Sequence, residues 1–455
     1  MDQQPSGVGG AVSGPRDTPE IANSAERLTA PGMMNSAGDS EHIFPTRDKR
    51  VNATAPMRLI HTSDWHLGRT LHGADLLDAQ ARFLDWLLAA SIEHQVHAVV
   101  VAGDIYDRAV PPVDAVAVLD HALRGFAEAR IPVLLTSGNH DSAVRLGFGS
   151  RLSELAGVHL RTDLADLARP VVIADEHGEV AIYGIPYLLP DAVMTELNAE
   201  RSHASVLAAA TARIRADAAE RRIGRTVVAA HALVTGGMIC DSERDLRVGG
   251  VADSPASVFA GLNYVALGHL HGQQNVQPPD GTSCVRYSGS PLAFSFSERH
   301  HNKSVTLAEI DAAGAVTTTL LAAPVPRPLR QVQGLLEELL AQRDDGPTDA
   351  WVKAVLTDTV RPAAPMERLR EKWPNTLVLE FAPQSELPTT ANDLRRLAHT
   401  ADPVEICEMF VEFTSGGRPD AEQRAVLADV VETVQHADAP DTGSLLTPAA
   451  LNAAA

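Results

Sequence analysis

Five short polar clusters, each directly after an apolar run, carry most of the chemical information in this sequence. They are Asp64-x-His66, Gly103-Asp104, Gly138-Asn139-His140-Asp141, His231 and Gly268-His269-x-His271. Together they supply three carboxylates, one amide and five imidazoles. Nitrogen and oxygen donors in this number are typical of a pair of metal ions. A single D-x-H or H-x-H would be weak evidence, whereas the ordered set predicts a two-metal site.

The types of donor in these clusters indicate which metals and which chemistry to expect. Residues two apart in a turn can point the same way, so Asp64 and His66 can reach one ion. The two oxygens of Asp104 can bridge two ions, and the small Gly268 lets the backbone turn sharply before two histidines. Such a mixed set suits manganese, iron or zinc better than magnesium. Two ions about 3.5–4 Å apart would acidify a bridging water and hold a phosphate, so phosphoester hydrolysis is expected.

Strand-like and helix-like segments alternate from Met57 to about Leu321. The predicted strands are Arg58–Thr62, Ala98–Ala102, Val133–Thr136, Val180–Ile185, Thr226–Ala230 and Tyr264–Leu267. The predicted helices are Asp78–Gln95, Val113–Ala129 and Ala204–Arg222. This alternation predicts a layered α/β fold, and the fully apolar strands indicate sheets covered on both faces. Ligands of such folds bind beyond the carboxyl ends of the strands, where the polar clusters fall.

A second, smaller α/β unit is predicted after the proline-rich segment 324–328. Its expected elements are a helix, a strand, a helix and a strand, at Gln331–Gln342, Trp351–Thr357, Pro365–Lys372 and Thr376–Phe381. Two further helices are predicted at Pro403–Phe413 and Pro419–Gln435. The second of these carries an apolar stripe at helical spacing, formed by Leu427, Val430, Val431 and Val434. The stripe packs either on its own domain or against the helices of another protein.

The formal net charge of −20 is unusual for a protein that binds nucleic acid. From Arg330 to the end, the chain holds 11 Lys and Arg against 21 Asp and Glu, so half of the excess lies there. Two divalent cations would add positive charge where a phosphate would bind. The charge therefore argues against tight DNA binding by the chain alone, and not against phosphoester chemistry.

Other features of the composition indicate a soluble cytoplasmic protein. The three cysteines lie far apart, which fits a reducing compartment and argues against a disulfide framework or a zinc finger. No run of about 18 apolar residues predicts a membrane span. Residues 1–56 lack the plan of a secretory signal and are predicted to be disordered, as is the tail 437–455. Residues 1–56 are either a genuine flexible tail or an extension upstream of a natural start at Met57.

Beyond the donors themselves, longer motifs make the sequence resemble a known family. They are HTSDWHLGR (His61–Arg69), GDIYDR (Gly103–Arg108), SGNHDSAVRL (Ser137–Leu146), ALGHLH (Ala266–His271) and YSGSPLAFSFSE (Tyr287–Glu298). The chain resembles the calcineurin-like metallophosphoesterases and, among them, the SbcD family of nuclease subunits. The resemblance covers Met57 to about Gln435. It implies an α/β/β/α metallophosphoesterase sandwich at 57–323, a small α/β capping domain at 328–400 and C-terminal partner-docking helices at 403–436.

The resemblance also implies a role for individual residues. One metal ion would be held by Asp64, His66, Asp104 and His271, and the other by Asp104, Asn139, His231 and His269. His140 resembles the catalytic histidine of the family, which assists the departing oxygen; support of the ligands is the rival role. Arg69, Arg108 and Arg145 are candidate phosphate contacts or ordinary surface arginines. Asp107 lines the site with an open role, and local hydrogen bonding is expected for Asp107 and Asp141.

The family implies a particular activity and particular partners. Its members use manganese and act in DNA repair, recombination and replication, as 3′→5′ exonucleases on duplex ends and as endonucleases on single strands and hairpins. They work with SbcC, a coiled-coil ATPase, as a homodimer within a heterotetramer. This chain has no Walker-type glycine loop, so any ATP-driven step would come from such a partner. Two alternatives stay open: a metallophosphoesterase of small phosphoesters or cyclic nucleotides, and a DNA-end-binding scaffold.

Overall fold

The structure is a computed structural model that describes residues 56–382 and 402–436. Short gaps fall at 236, 239, 244–253, 279–280, 282, 344–345, 348 and 416. The predictions made for residues 1–55, 383–400 and 437–455 lie outside the described residues. None of the described helices could span a membrane.

The described residues include seventeen strands. In chain order they are β1 (Met57–Thr62), β2 (Thr70–Leu71), β3 (Ala74–Asp75), β4 (Ala98–Ala102), β5 (Val133–Thr136), β6 (Val158–Arg161), β7 (Val171–Asp175), β8 (Gly178–Ile185), β9 (Arg225–His231), β10 (Tyr264–Gly268), β11 (Gln274–Val276), β12 (Cys284–Tyr287), β13 (Ser304–Ile310), β14 (Val316–Ala322), β15 (Leu329–Gly334), β16 (Trp351–Leu356) and β17 (Thr376–Phe381). All six strands predicted before Leu321 are confirmed to within two residues at either end.

The helices lie mostly between these strands. They are α1 (Leu77–Glu93), α2 (Val113–Ala129), α3 (Ala143–Leu146), α4 (Ser150–Ser153), α5 (Pro190–Leu197), α6 (His203–Arg221), α7 (Leu336–Ala341), α8 (Pro365–Lys372), α9 (Pro403–Ser415) and α10 (Ala421–His436). The three long helices predicted before Leu321 correspond to α1, α2 and α6.

Two six-stranded sheets form the main body of the molecule. Their strand orders are β14-β13-β1-β4-β5-β6 and β11-β12-β10-β9-β8-β7. In the first sheet β1, β4, β5 and β6 run parallel, with β13 antiparallel to β1. In the second sheet β8, β9, β10 and β12 run parallel, between antiparallel edge strands β7 and β11. The parallel strands bring their carboxyl ends to one edge of each sheet.

The layer order follows from where the strand side chains point. Successive side chains of a strand face opposite sides, so Val100 of β4 enters the core between the sheets, while Val99 and Val101 pack outward. The outer core of the first sheet is completed by helices α1 and α2 through Phe83 and Phe126. Helices α5 and α6 cover the second sheet in the same way. The order helix, sheet, sheet, helix confirms the predicted α/β/β/α class.

The predicted helix at Gln331–Gln342 is wrong over its first four residues. Residues Leu329–Gly334 form β15, which pairs in parallel with β16, and the helix α7 begins only at Leu336. Pairing with β16 places Val332 in a small core with Leu336, Leu369 and Trp373. The segment is too short and too polar to show the alternation of a strand, so its partner strand decides its conformation. With β17, these elements form a three-stranded sheet covered by α7 and α8.

The two predicted C-terminal helices are present as α9 and α10. They contact each other, and Arg424 of α10 forms an ion pair with Glu408 of α9. In the apolar stripe of α10, Leu427 and Val431 are half-buried. Val430 and Val434 of the same stripe are 53% and 66% exposed. The helix pair therefore covers only half of the stripe.

Candidate metal centre

The polar clusters lie where the carboxyl ends of strands from both sheets meet. Asp64, Asp104 and Asn139 follow β1, β4 and β5 of the first sheet, whereas His231 and His269 end β9 and follow β10 of the second. All but Asn139 have few exposed atoms, and Asp64 is fully buried. The centre is therefore built across the interface between the two sheets.

Main-chain hydrogen bonds hold the first two loops side by side. The N–H of Asp64 donates to the carbonyl oxygen of Gly103 at 3.0 Å, and that of His66 donates to Asp104 at 3.0 Å. Asp64, His66, Asp104 and His269 have φ values of 53°, 45°, 50° and 107°. Residues other than glycine adopt such a conformation uncommonly, and strained positions of this kind are enriched at active sites. The loops are thus shaped to aim these side chains at one another.

Two glycines permit the close approach of the loops. A Cβ atom on Gly138 would lie 2.1 Å from Oδ1 of Asp104, and one on Gly268 would lie 1.9 Å from the carbonyl oxygen of Ala102. Gly268 is the last residue of β10, and its φ is not positive. The expectation that Gly268 serves a sharp turn is therefore wrong. It is needed because β10 passes against β4 of the other sheet.

Donor atoms from these loops converge into three overlapping groups. In each group the donor atoms lie within 4.8 Å of one another. The first group is Asp64, His66 and His271. The second is His66, Asp104 and His140, and the third is Asp64, Asp104 and His231. Two predicted ligands complete the surroundings. Oδ1 of Asn139 is 2.8 Å from Nε2 of His231, and the ring of His269 stands edge-on to that of His231 at 5.4 Å. All seven predicted metal ligands thus occupy one site.

The environment of His231 shows that these residues fit a cation. Its Nδ1 atom donates to the carbonyl oxygen of Ala102 at 3.0 Å, so in the neutral ring Nε2 carries a lone pair. That lone pair faces Oδ1 of Asn139 at 2.8 Å and Oδ2 of Asp104 at 3.5 Å. Three acceptor atoms therefore lie close to one another. A bound cation is what such an arrangement accommodates.

The electrostatics of the site support the same conclusion. Burial lowers the pKa of His231 and of His271 to about 4, so both rings are neutral at pH 7 and can ligate a metal. Burial and the neighbouring imidazoles lower the pKa of His66 as well. The pKa of Asp64 is raised, first by burial and then by the charge of Asp104. Two buried carboxylates that repel each other are stabilised by a divalent cation between them.

His140 lies at the open side of the site, beside Asp107. Its Nδ1 atom donates to the main-chain oxygen of Asp107 at 2.7 Å, which leaves Nε2 facing Oδ2 of Asp104 at 4.0 Å. The carboxylate of Asp107 lies 3.6 Å from Nδ1 of His66 and 3.7 Å from Nε of Arg69. Asp141 is further back, where its carboxylate accepts main-chain hydrogen bonds of 2.9–3.1 Å from Ile105, Tyr106 and Gly138. Asp141 therefore makes the local hydrogen bonds expected of it, whereas the carboxylate of Asp107 makes ion-pair contacts of 3.6–4.0 Å.

The three candidate arginines differ in position. Arg69 lies at the rim of the site, with its guanidinium 5.0 Å from the ring centre of Phe294 and Nη2 bonded to the carbonyl oxygen of Ser242. Its Nη1 atom is buried and makes no hydrogen bond with any described residue. Arg108 is 68% exposed, and Arg145 donates to the carbonyl oxygen of Ala109. Only Arg69 is packed against the residues of the metal centre.

Several residues that contact this centre were given no role by reasoning from the sequence. Ser242 and Glu298 both lie against Nδ1 of His271, and Nζ of Lys303 bonds to the carbonyl oxygen of His271. The ring of Phe294 stands 5.2 Å from that of His66. Phe294 and Glu298 belong to the quoted YSGSPLAFSFSE motif, so a signal was present for them. Ser242 and Lys303 stand in no motif, and only the folded chain brings them here.

Comparisons with known proteins agree with this geometry. Residues 57–273 match the calcineurin-like phosphoesterase family, and residues 325–414 match the type 5 capsule protein repressor C-terminal domain. The SbcD subunit of the SbcCD nuclease of Staphylococcus saprophyticus is 32% identical over 331 residues, which are 71% of this chain and 84% of that protein.

Solved structures are also similar, at lower identity. A calcineurin-like phosphoesterase from Bacillus subtilis aligns with a TM-score of 0.34 and 13% identity, over 59% of this chain and 91% of its own. A dimetal phosphatase from Danio rerio aligns with a TM-score of 0.38 and 12% identity, over 59% of this chain and 96% of its own.

The match to the staphylococcal SbcD subunit and the two family models narrow the family further than the fold does. They account for both the part that carries the metal centre and the part that follows it. A calcineurin-like phosphoesterase domain with clustered His and Asp donors makes the protein a metal-dependent hydrolase of phosphodiester bonds. The chain belongs to the SbcD family of nuclease subunits.

Proposed function

We propose that this protein is a dimetal-dependent DNA nuclease that works in repair and recombination. It cuts duplex ends as a 3′→5′ exonuclease, and single strands and hairpins as an endonuclease. The observation that carries the proposal is the convergence of donors from both sheets, with three acceptor atoms facing one another around His231. The similarity to the SbcD subunit of the staphylococcal SbcCD nuclease supports DNA as the substrate.

The proposed metal ligands form two sets that share one carboxylate. Asp64, His66, Asp104 and His271 hold the first ion, and Asp104, Asn139, His231 and His269 hold the second. The mixture of imidazole, carboxylate and amide donors favours manganese over magnesium. When bound, the two ions supply Lewis acidity to the phosphate and lower the pKa of a water molecule.

The chain's own residues bind the phosphate and move the proton. Arg69 contacts a phosphate oxygen through its guanidinium group, which lies at the rim of the site on a side chain that is 17% exposed. His140 holds a proton on Nε2 and delivers it to the departing 3′ oxygen, while the bond from Nδ1 to Asp107 keeps the ring in place. Phe294 covers His66 and Arg69 and excludes water from that side of the centre.

The C-terminal helices are proposed to bind an SbcC-like coiled-coil ATPase. Val426, Val430 and Val434 of α10 are 59%, 53% and 66% exposed, which is a large apolar area for the surface of a helix. A partner that contributes helices would bury these three valines by helix-to-helix packing. The same partner would supply the ATP-driven step.

A second copy of the chain is proposed to pack against the segment that follows His140. Val144, Phe148, Leu152 and Leu155 are 86%, 88%, 74% and 87% exposed in the short helices α3 and α4 and just beyond them. Four large apolar side chains within twelve residues favour an interface between subunits. The resulting complex is expected in the cytoplasm, in agreement with the three free cysteines.

The decisive experiment is manganese-dependent digestion of a labelled DNA hairpin and of a blunt duplex, with and without the ATPase partner. The proposal predicts cleavage of the hairpin near its loop and release of nucleotides from the 3′ ends of the duplex. Small phosphomonoesters and cyclic nucleotides serve as competing substrates. Turnover of these small esters without any cleavage of DNA would contradict the proposal.

A further inference from the structure

A buried network of polar side chains surrounds His271 on the side away from the other ligands. Its Nε2 atom faces Nε2 of His66 at 3.2 Å, on the side of the metal centre. Its Nδ1 atom lies 2.8 Å from the hydroxyl of Ser242 and 3.4 Å from Oε1 of Glu298. The hydroxyl of Ser242 in turn donates to Oε1 of Glu298 at 2.6 Å. A hydrogen-bonded chain therefore links the ring of His271 to a carboxylate.

This chain of bonds determines which nitrogen of His271 carries the proton. The Ser242 hydroxyl uses its single hydrogen toward Glu298 and so accepts from Nδ1–H of His271. Nε2 then has a free lone pair and points at the metal site. A carboxylate that acts on the distal nitrogen of a ligating histidine fixes the orientation of the ring and raises its basicity.

Lys303 holds the main chain of the same residue. Its ammonium group donates to the carbonyl oxygen of His271 at 3.0 Å and to Ser290 at 2.9 Å, and it forms a close ion pair with Glu298. Glu298 and Lys303 are 1% and 7% exposed. Burying such a pair is costly, and a cluster of apolar residues would often be as stable, so stability alone does not account for it.

We propose that Glu298 and Lys303 are positioning residues that hold the ring and the main chain of His271 so that its Nε2 atom is presented to the first metal ion. This inference rests on the proposed role of His271 as a metal ligand. Glu298 acts on the ring through Ser242, and Lys303 both neutralises Glu298 and fixes the peptide of His271. Neither residue touches the substrate.

The test compares manganese binding by full-length, metal-free variants, measured by calorimetry and by electron paramagnetic resonance. Glu298→Gln alone leaves Lys303 buried without its carboxylate, so the double variant Glu298→Gln/Lys303→Met is the informative one. We expect it to bind one manganese ion about 10–100-fold more weakly and the other as the unchanged protein does. The weakened site should be the one that His271→Ala removes. Ser242→Ala should have a smaller effect, because Oε1 of Glu298 remains near Nδ1.

Asp175→Asn is the matched control for the loss of a buried ion pair. Asp175 has a fully buried side chain and pairs with Arg225 at the start of β9, the opposite end of the strand from His231. This variant should lose stability while keeping both manganese affinities. If the double variant also keeps both affinities, the inference is overturned while the metal centre stands. If the unchanged protein binds no manganese, the ligand assignment fails and the inference fails with it.

Discussion

The Nδ1 atom of His140 donates a hydrogen bond of 2.7 Å to the main-chain oxygen of Asp107. Because a carbonyl oxygen only accepts, this bond fixes the tautomer of the ring. Nε2 is left as the atom that can take up or give a proton, and it is directed toward Asp104, 4.0 Å away. The orientation of His140 is thus set by a main-chain oxygen. Replacing the side chain of Asp107 would leave this hydrogen-bond acceptor in place.

Replacing His140 by glutamine should separate catalysis from metal binding. We expect the rate of hydrolysis to fall by about 100- to 10,000-fold, the usual contribution of a general acid. Two equivalents of manganese should still bind, as measured by calorimetry. His140 lies close enough to His66 and Asp104 to act as a ligand itself. The loss of one equivalent in His140→Gln would therefore contradict the catalytic role.

Asp104→Asn should affect both ions, whereas His271→Ala should affect one. The asparagine retains an oxygen that accepts from the main-chain N–H of His140, a bond of 2.9 Å in this structure, so the loop should persist. It lacks the negative charge needed to bridge two cations. Metal content after dialysis should fall below one ion per chain for Asp104→Asn and to about one for His271→Ala. Inductively coupled plasma mass spectrometry measures it. Equal metal content in the two variants would rule out a bridging role.

A methyl group on Gly268 should force the two sheets apart. In Gly268→Ala the added carbon would meet the carbonyl oxygen of Ala102 at 1.9 Å and Nδ1 of His231 at 2.9 Å. We expect a loss of about 1–3 kcal/mol in the free energy of unfolding together with weaker manganese binding. Gly224→Ala is the control, because nothing lies within 4 Å of the added carbon there. Denaturant titration of both variants measures the difference.

His61 should make the protein less stable in mild acid. Burial lowers the pKa of His61 from 6.5 to about 3, so the unfolded chain binds a proton that the folded chain does not. Stability should therefore fall as the pH drops below 6.5, by about 1.4 kcal/mol per pH unit from this residue, until the pH nears 3. In His61→Gln the free energy of unfolding should fall less steeply between about pH 7 and pH 5. Denaturant unfolding in the presence of a chelator, which keeps the protein free of metal, measures this. Parallel curves for the two proteins would show that His61 does not contribute.

The positions of the donors could be predicted from the sequence because they follow from one-dimensional patterns. An apolar strand places the next residues at the edge of its sheet, so Asp64, Asp104 and His269 had to lie at strand ends. The residue patterns alone did not assign these edges to two sheets; only the family resemblance implied an α/β/β/α sandwich. Parallel strands of either sheet look alike, and the contact between Gly268 and Ala102 arises only when the sheets pack.

The remaining differences have a similar origin. The strand β15 is held by its pairing with β16, a contact that its own polar sequence does not encode. Trp65, which lies within the HTSDWHLGR motif, is 1% exposed and donates a hydrogen bond to Thr62, so its side chain belongs to the core. Lys303 bonds to His271, a residue 32 positions earlier in the chain, and no local pattern marks such a residue.

The position of the metal centre across the sheet interface couples its assembly to folding. Its donors come from both sheets, so a chain in which the sheets have not docked lacks the assembled centre. Bound ions in turn favour the docked state, by about 2.7 kcal/mol at a concentration about one hundred times Kd. Hydrolysis at this centre is in this way coupled to the docking of the two sheets.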